Sequence, residues 1–264
     1  MSIELDFQRL TDDRWWDDYW QGTKLPQAID HGQTSYIDEL LGTLDRNLPP
    51  GAGRSALEIG GAPGRYLAYV HRRLGYSAKA LEYSRVGYEL IKRNLELLGV
   101  EAQAWHGDMF DPAIEIEPSD VVYSLGLIEH FDDPAAVAEA HLRFLKPGGI
   151  LVIGAPNLFG ASRFLYQRLS PSILESHHAP STHPDAWAPF ERRFGLEVLH
   201  KAYLGGFEPA NFARLESQRL PDRVLWRLLR WATIATNSRA VRPLHRLNHR
   251  WWSAYLLAVY RAPA

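Results

Sequence analysis

SALEIGGAPGRYL, residues 55–67, opens on a short apolar run, turns through Gly60, Gly61, Pro63 and Gly64, and leads into the segment YLAYVHRRL (66–74). An apolar run of that length bounded by Gly and Pro reads as a buried strand, and the segment after it reads as a helix. At such a strand-to-helix junction, glycines let backbone N–H groups approach a ligand with no side chain in the way. A dinucleotide fingerprint needs Gly-x-Gly-x-x-Gly, but Ala62 and Arg65 stand where its second and third glycines belong, so that fingerprint fails.

Working outward, short apolar runs recur at 78–83 (AKALEY), 102–107 (AQAWHG), 119–124 (SDVVYS) and 149–154 (GILVIG). Helical stretches at 66–74, 86–98 and 135–145 alternate with them, each closed by Gly or Pro. This alternation predicts an α/β fold with a doubly wound, mostly parallel sheet. Two more strand-like runs, 196–204 and 253–261, have no crossover pattern between them, so one of them is expected to be antiparallel. Upstream, Thr11 is placed to cap a helix in TDDRWWDDYWQ (11–21), with Trp15, Trp16, Tyr19 and Trp20 on one face as a core stripe or a lid over a ligand. A second helix at 35–44 and the breaker LPPGAG (48–53) complete an N-terminal helical cap.

The 264 residues suit a single domain, and 46% hydrophobic content supplies a packed core. A net charge of −2 gives no general attraction to a polyanion, so no nucleic-acid partner is expected. The absence of cysteine excludes disulfides, Cys-ligated zinc, iron–sulfur clusters and a thiolate nucleophile. MSIELDFQRL has neither the basic nor the apolar region of a secretory signal, and a cytoplasmic location is expected.

Glu58-Ile59-Gly60-Gly61-Ala62-Pro63-Gly64 follows an E-x-G-x-(G/A)-x-G pattern and resembles motif I of class I S-adenosylmethionine-dependent methyltransferases. The resemblance runs over residues 54–157 and extends to GDMF (107–110), SDVVYSLGLIEHFDDP (119–134) and LKPGGILVI (145–153). PNLFG (156–160) and YLGGFEPANF (203–212) resemble stretches of methyltransferase type 11 and 12 proteins. The resemblance implies a Rossmann-like, doubly wound seven-stranded sheet, mostly parallel with one antiparallel strand, carrying the N-terminal helical cap and helical insertions. One domain, 1–264, then divides into the cap (1–50), a donor-binding half (51–160) and a substrate-side half (161–264) with insertions at 161–195 and 205–250. The implied donor contacts are Glu58, Gly60, Gly61, Ala62, Gly64, Glu82, Tyr83, Asp108, Met109 and Ser124. Glu82 would accept the ribose hydroxyls, and Asp108 would read the adenine amino group. Ala62 departs from the usual Gly and does not tolerate a left-handed conformation.

The same resemblance sets His130 on the acceptor side, where an imidazole with a pKa near 6.5 suits removal of a hydroxyl proton. Trp20, His178 and Tyr203 are the candidate substrate contacts, and no metal is assigned, because His177, His178, His183 and Asp185 have no regular ligand spacing. Cytosine C5 methylation is excluded without cysteine, and Tyr123-Ser124-Leu125-Gly126 lacks the Asn/Asp-Pro-Pro-aromatic motif of base N-methylation. The expected function is therefore S-adenosylmethionine-dependent methylation, on oxygen, of a small molecule or a glycan or natural-product precursor. The alternative is a non-catalytic donor-binding partner or sensor. The Arg- and Trp-rich segment 212–252 is a candidate for contact with phosphate or a membrane surface.

Overall fold

The computed structural model describes residues 5–207, 215–238 and 247–264. Seven strands form one sheet in the order β3-β2-β1-β4-β5-β7-β6. They are β1 (Ser55–Ile59), β2 (Ser77–Glu82), β3 (Ala102–His106), β4 (Ser119–Leu125), β5 (Leu145–Pro156), β6 (Glu197–Phe207) and β7 (Ser253–Arg261). Only β7 runs against its neighbours, pairing antiparallel with both β5 and β6. The Rossmann-like sheet with one antiparallel strand is thus what the chain forms.

Alternation along the strands feeds two apolar layers. On one face Ala56, Val121, Tyr123 and Val152 pack with α2 (Ser35–Asn47), α3 (Arg65–Leu74) and α4 (Arg85–Leu97). On the other, Leu57, Ile59, Val122 and Leu151 pack with α5 (Pro134–Leu142) and α8 (Pro184–Arg193). Helix α8 lies within the 161–195 stretch read as an insertion, yet its fully buried Trp187 and Phe190 belong to this core. The additions at the carboxyl edge are α6 (Gly160–Leu169) and α7 (Pro171–Glu175) before α8, and α9 (Leu220–Thr236) between β6 and β7.

The N-terminal cap departs from its sequence reading. Helix α1 (Asp13–Trp20) is capped by Asp12, whose carboxylate accepts from Trp15 N at 2.7 Å. Thr11 instead accepts from Trp16 Nε1 at 3.1 Å. The helix buries none of its residues, so its aromatic stripe is not core. Buried Asn94 of α4 ties the cap to the glycine turn: its amide donates to Gln27 O (2.8 Å) and Pro63 O (2.9 Å) and accepts from Gln27 N (2.7 Å). Asn94→Ala leaves those groups without partners and is expected to cost about 1–3 kcal/mol, read as a lowered denaturant midpoint. An unchanged midpoint would show that the tie contributes nothing.

Candidate active site

The parallel strands β1, β2, β3, β4 and β5 end at Ile59, Glu82, His106, Leu125 and Pro156, and the site gathers at these carboxyl ends. Gly60 takes φ +68° and Gly64 takes φ +84°, reversing the chain from β1 into α3. Gly61 lies against Glu58 so tightly that an added Cβ would stand 2.1 Å from the carboxyl carbon. Glu58 is buried and its Oε2 accepts from Leu67 N at 3.1 Å, which ties the strand to the first turn of α3. Ala62 avoids the left-handed region, as every non-glycine residue described does, so its departure from Gly strains nothing.

Glu82, also buried, receives N–H bonds from Ser84 (3.0 Å) and Ala62 (3.3 Å). Burial pushes its carboxyl up to about 7 against the pull of those donors. Glu58 is pushed up to about 8, again by burial. Glu82, Tyr83, Asp108 and buried Met109 line a narrow cleft with Gly60 and Ile59. The cleft is narrow because the N-terminal segment closes it. Arg9 Nη2 donates to both oxygens of Asp108, at 2.8 and 2.6 Å, while its guanidinium lies 4.5 Å above the Tyr83 ring. Leu10 N donates to His130 O at 2.9 Å and holds this segment down. About 40 Å³ is left open, so a nucleoside-sized ligand requires Arg9 and the α1 tryptophans to shift.

A second cavity of about 610 Å³ adjoins the cleft. Trp16, Trp20, Gly60, Gly126 and His130 border both spaces. The Trp16 ring lies 4.8 Å from the His130 ring, so the α1 stripe forms the wall between them. Tyr36, Tyr66, Tyr166 and Tyr255 line the larger cavity together with Trp15 and Tyr19 of α1. Arg65, Glu129 and Glu216 are among its charged groups.

His130 is buried at the junction. Its Nδ1 lies 2.8 Å from Ser176 O, and a carbonyl only accepts, so the proton sits on Nδ1 and Nε2 keeps its lone pair. His177, its ring 4.5 Å from that of His130, repeats the pattern with Nδ1 on Ile173 O at 2.5 Å. Burial holds His130 well below the usual imidazole range, helped by the adjacent His177, and burial takes His177 down to about 4. Both rings are neutral at pH 7. Glu129 Oε2 is buried with no hydrogen-bond partner, and burial raises that carboxyl to about 8. One ligand atom from each of Glu129, His130 and His177 lies within 4.8 Å of the other two, a spacing that suits a proton relay or could hold a divalent cation.

Four sequence-derived site residues fall elsewhere. Ser124 points its Oγ at His141 Nε2 (2.9 Å) on the α5 side of the sheet, because strand alternation sends it away from the Tyr123 face. His178 spends its Nδ1 on Ser181 Oγ at 2.8 Å at the start of a 3-10 turn, and its neighbour His177 faces the cavity. Tyr203 pairs with Leu256 while Leu204 pairs with Tyr255, so Tyr203 lies on the opposite face from the tyrosine that lines the cavity. Gly64 lines neither space; it starts α3. Arg9 and Glu129 were missed, although Glu129 is next to His130 in sequence, and His177 was weighed only as one of four residues without regular ligand spacing.

The family described as "Methyltransferase domain" matches residues 31–201. A ubiquinone biosynthesis O-methyltransferase from Alkalilimnicola ehrlichii is 28% identical over 70% of this chain and 70% of its own. A S-adenosylmethionine-dependent methyltransferase from Thiobacillus denitrificans, solved with S-adenosyl-L-homocysteine, superposes with a TM-score of 0.56 at 18% identity, covering 94% of this chain and 98% of that one. Geranyl diphosphate C-methyltransferase from Streptomyces coelicolor, solved with Mg2+, geranyl diphosphate and S-adenosyl-L-homocysteine, gives a TM-score of 0.59 at 14% identity, covering 95% and 97%. With a seven-stranded sheet of this order, a glycine turn after β1, an acidic end to β2 and a family match over well over half its length, the chain belongs to the class I S-adenosylmethionine-dependent methyltransferases.

Proposed function

We propose that this enzyme methylates a hydroxyl group on a small aromatic or otherwise apolar molecule, with His130 as the base. The observation that carries the reading is the position of His130 between the two cavities, with Nε2 unprotonated and its ring fixed by Ser176 O. Bound S-adenosylmethionine supplies an electrophilic methyl group on a sulfonium centre. The residues suit that donor: Glu82, Tyr83, Asp108 and Met109 would hold its nucleoside part, and Gly60, Gly61 and Ala62 its amino-acid part beside Glu58. Asp108 can serve although Arg9 engages it, because a carboxylate offers about four acceptor sites.

The aromatic side chains of the larger cavity would align a flat acceptor, and alignment is most of what a preactivated methyl donor requires. A hydroxyl oxygen forms the new bond to carbon, the sulfonium carbon–sulfur bond breaks with its electrons going to sulfur, and the hydroxyl proton passes to His130 Nε2. Relatives named as ubiquinone biosynthesis O-methyltransferases support oxygen as the acceptor atom. The reading is tested by incubating the protein with methyl-labelled donor and a cell extract. Label is expected in the solvent-extractable, alkali-stable small-molecule fraction; label in protein or nucleic acid instead would overturn it.

Glu82 gives a separate pH signature. Ribose hydroxyls donate to the ionised carboxylate, so donor binding lowers the pKa of Glu82 from about 7 and releases its proton. Donor affinity is expected to rise about tenfold from pH 6 to pH 8, as a group titrating near 7 requires. Glu82→Gln should weaken binding and flatten that profile in calorimetry. A wild-type affinity that does not change with pH would remove Glu82 from the ribose.

A further inference from the structure

Helix α9 reverses the usual order of a surface helix. Its inward side carries half-buried Leu225, Trp226 and Leu229, while Leu220, Leu228, Trp231 and Ile234 on the outward side are 60 to 72% exposed. With Val224, also exposed, they recur at the three- and four-residue spacing that forms one stripe of an α-helix. Arg219, Arg223, Arg227 and Arg230, all exposed, follow one flank of this stripe. Asp222, the acid of the helix, turns inward and is held by Arg168 Nε and Ser217 Oγ, each at 2.6 Å. The outward face therefore presents apolar bulk and positive charge with no carboxylate. Phe164, exposed on α6, and Trp251, whose carbonyl accepts from Ala161 N of α6 at 2.8 Å, extend apolar surface around it. Of the Arg-rich segment read in the sequence, Arg214, Arg239, Arg242 and Arg246 lie outside the described residues.

We propose that this face docks on an anionic lipid bilayer, with α9 lying in the plane of the interface. Among the described residues no helix is long and apolar enough to cross a membrane, so the contact is peripheral. A 17-residue helix spans about 25 Å, enough to lay the whole stripe along the headgroup boundary while the arginines meet lipid phosphates. Charge selects this occupant over a second copy of the chain, since two such faces brought together would oppose their own arginines. Leu215 and Glu216, which lead into α9, line the acceptor cavity, so docking sets that rim at the lipid surface. Docking does not depend on which acceptor the cavity takes.

The test is flotation of the full chain with vesicles of phosphatidylcholine alone or mixed with phosphatidylglycerol. Binding is expected on the anionic vesicles at low salt, weakening with added salt, and at most a trace on neutral ones. Leu228→Glu with Trp231→Glu should reduce vesicle affinity at least tenfold, and Arg223→Glu with Arg227→Glu should abolish the preference for anionic lipid. Circular dichroism and donor binding should match the parent protein in both variants. No binding to anionic vesicles at low salt, or binding that the apolar variant leaves intact, would overturn the proposal. So would a dimer in size-exclusion chromatography that the same substitutions dissociate, because the face would then be covered by a second copy.

Discussion

Gly61→Ala should reduce affinity for S-adenosylmethionine by about a hundredfold, the upper range of what overpacking costs in a tight site. The new methyl group would stand 2.1 Å from the carboxyl carbon of Glu58 and 2.5 Å from Oε1. Glu58 has no room to yield: it is buried, and its other oxygen is committed to Leu67 N at 3.1 Å. Either the turn opens, which displaces Gly61 and Ala62 and breaks the N–H bonds of Gly60 to Leu81 O and of Ala62 to Glu82, or Glu58 leaves α3 without its tie to β1. Calorimetry reads the affinity, and circular dichroism checks that the sheet persists. An affinity within twofold of the parent would mean that the donor does not use this turn.

His130→Gln should lower kcat by about two to four orders of magnitude, the usual share of a positioned base, with donor affinity little changed. The pH profile separates a base from a buttress. The imidazole must be neutral to accept the proton, and burial beside His177 depresses its pKa below the ordinary 6.5. Wild-type kcat should therefore stay flat through neutral pH and fall only well below pH 6.5, and the variant should lose that acid limb. An equal loss at every pH with the limb retained would assign His130 to positioning alone. Wild-type activity should also survive exhaustive treatment with a chelator. Loss of activity that returns with a divalent cation would give Glu129, His130 and His177 to a metal and remove the free base.

What could be read from the sequence follows from the range of the forces involved. The βα alternation and the turn after β1 are local, because hydrophobic period and glycine placement act over a few residues. Glu82, Tyr83, Asp108 and Met109 share one cleft because each ends or follows a strand whose end the pattern already located. The antiparallel strand could be anticipated but not chosen between 196–204 and 253–261, since strand pairing is set by contacts distant in sequence. The misplaced residues failed on direction. Ser124 and Tyr203 sit on strands where one position reverses the face, and His178 differs from His177 only by where a 3-10 turn begins. Arg9 reaches Asp108 across 99 positions, a pairing that no local pattern reports.

Transfer to oxygen in the cavity beside His130 can be followed by supplying donor labelled with 13C at the methyl carbon. The product formed from extract would then be examined by carbon NMR, where methyl groups on oxygen, nitrogen and carbon resonate in separate regions. A methyl ether signal that appears with the parent protein and disappears with His130→Gln is the expected result. A methyl group on nitrogen or carbon, or an ether formed as fast without His130, would contradict it.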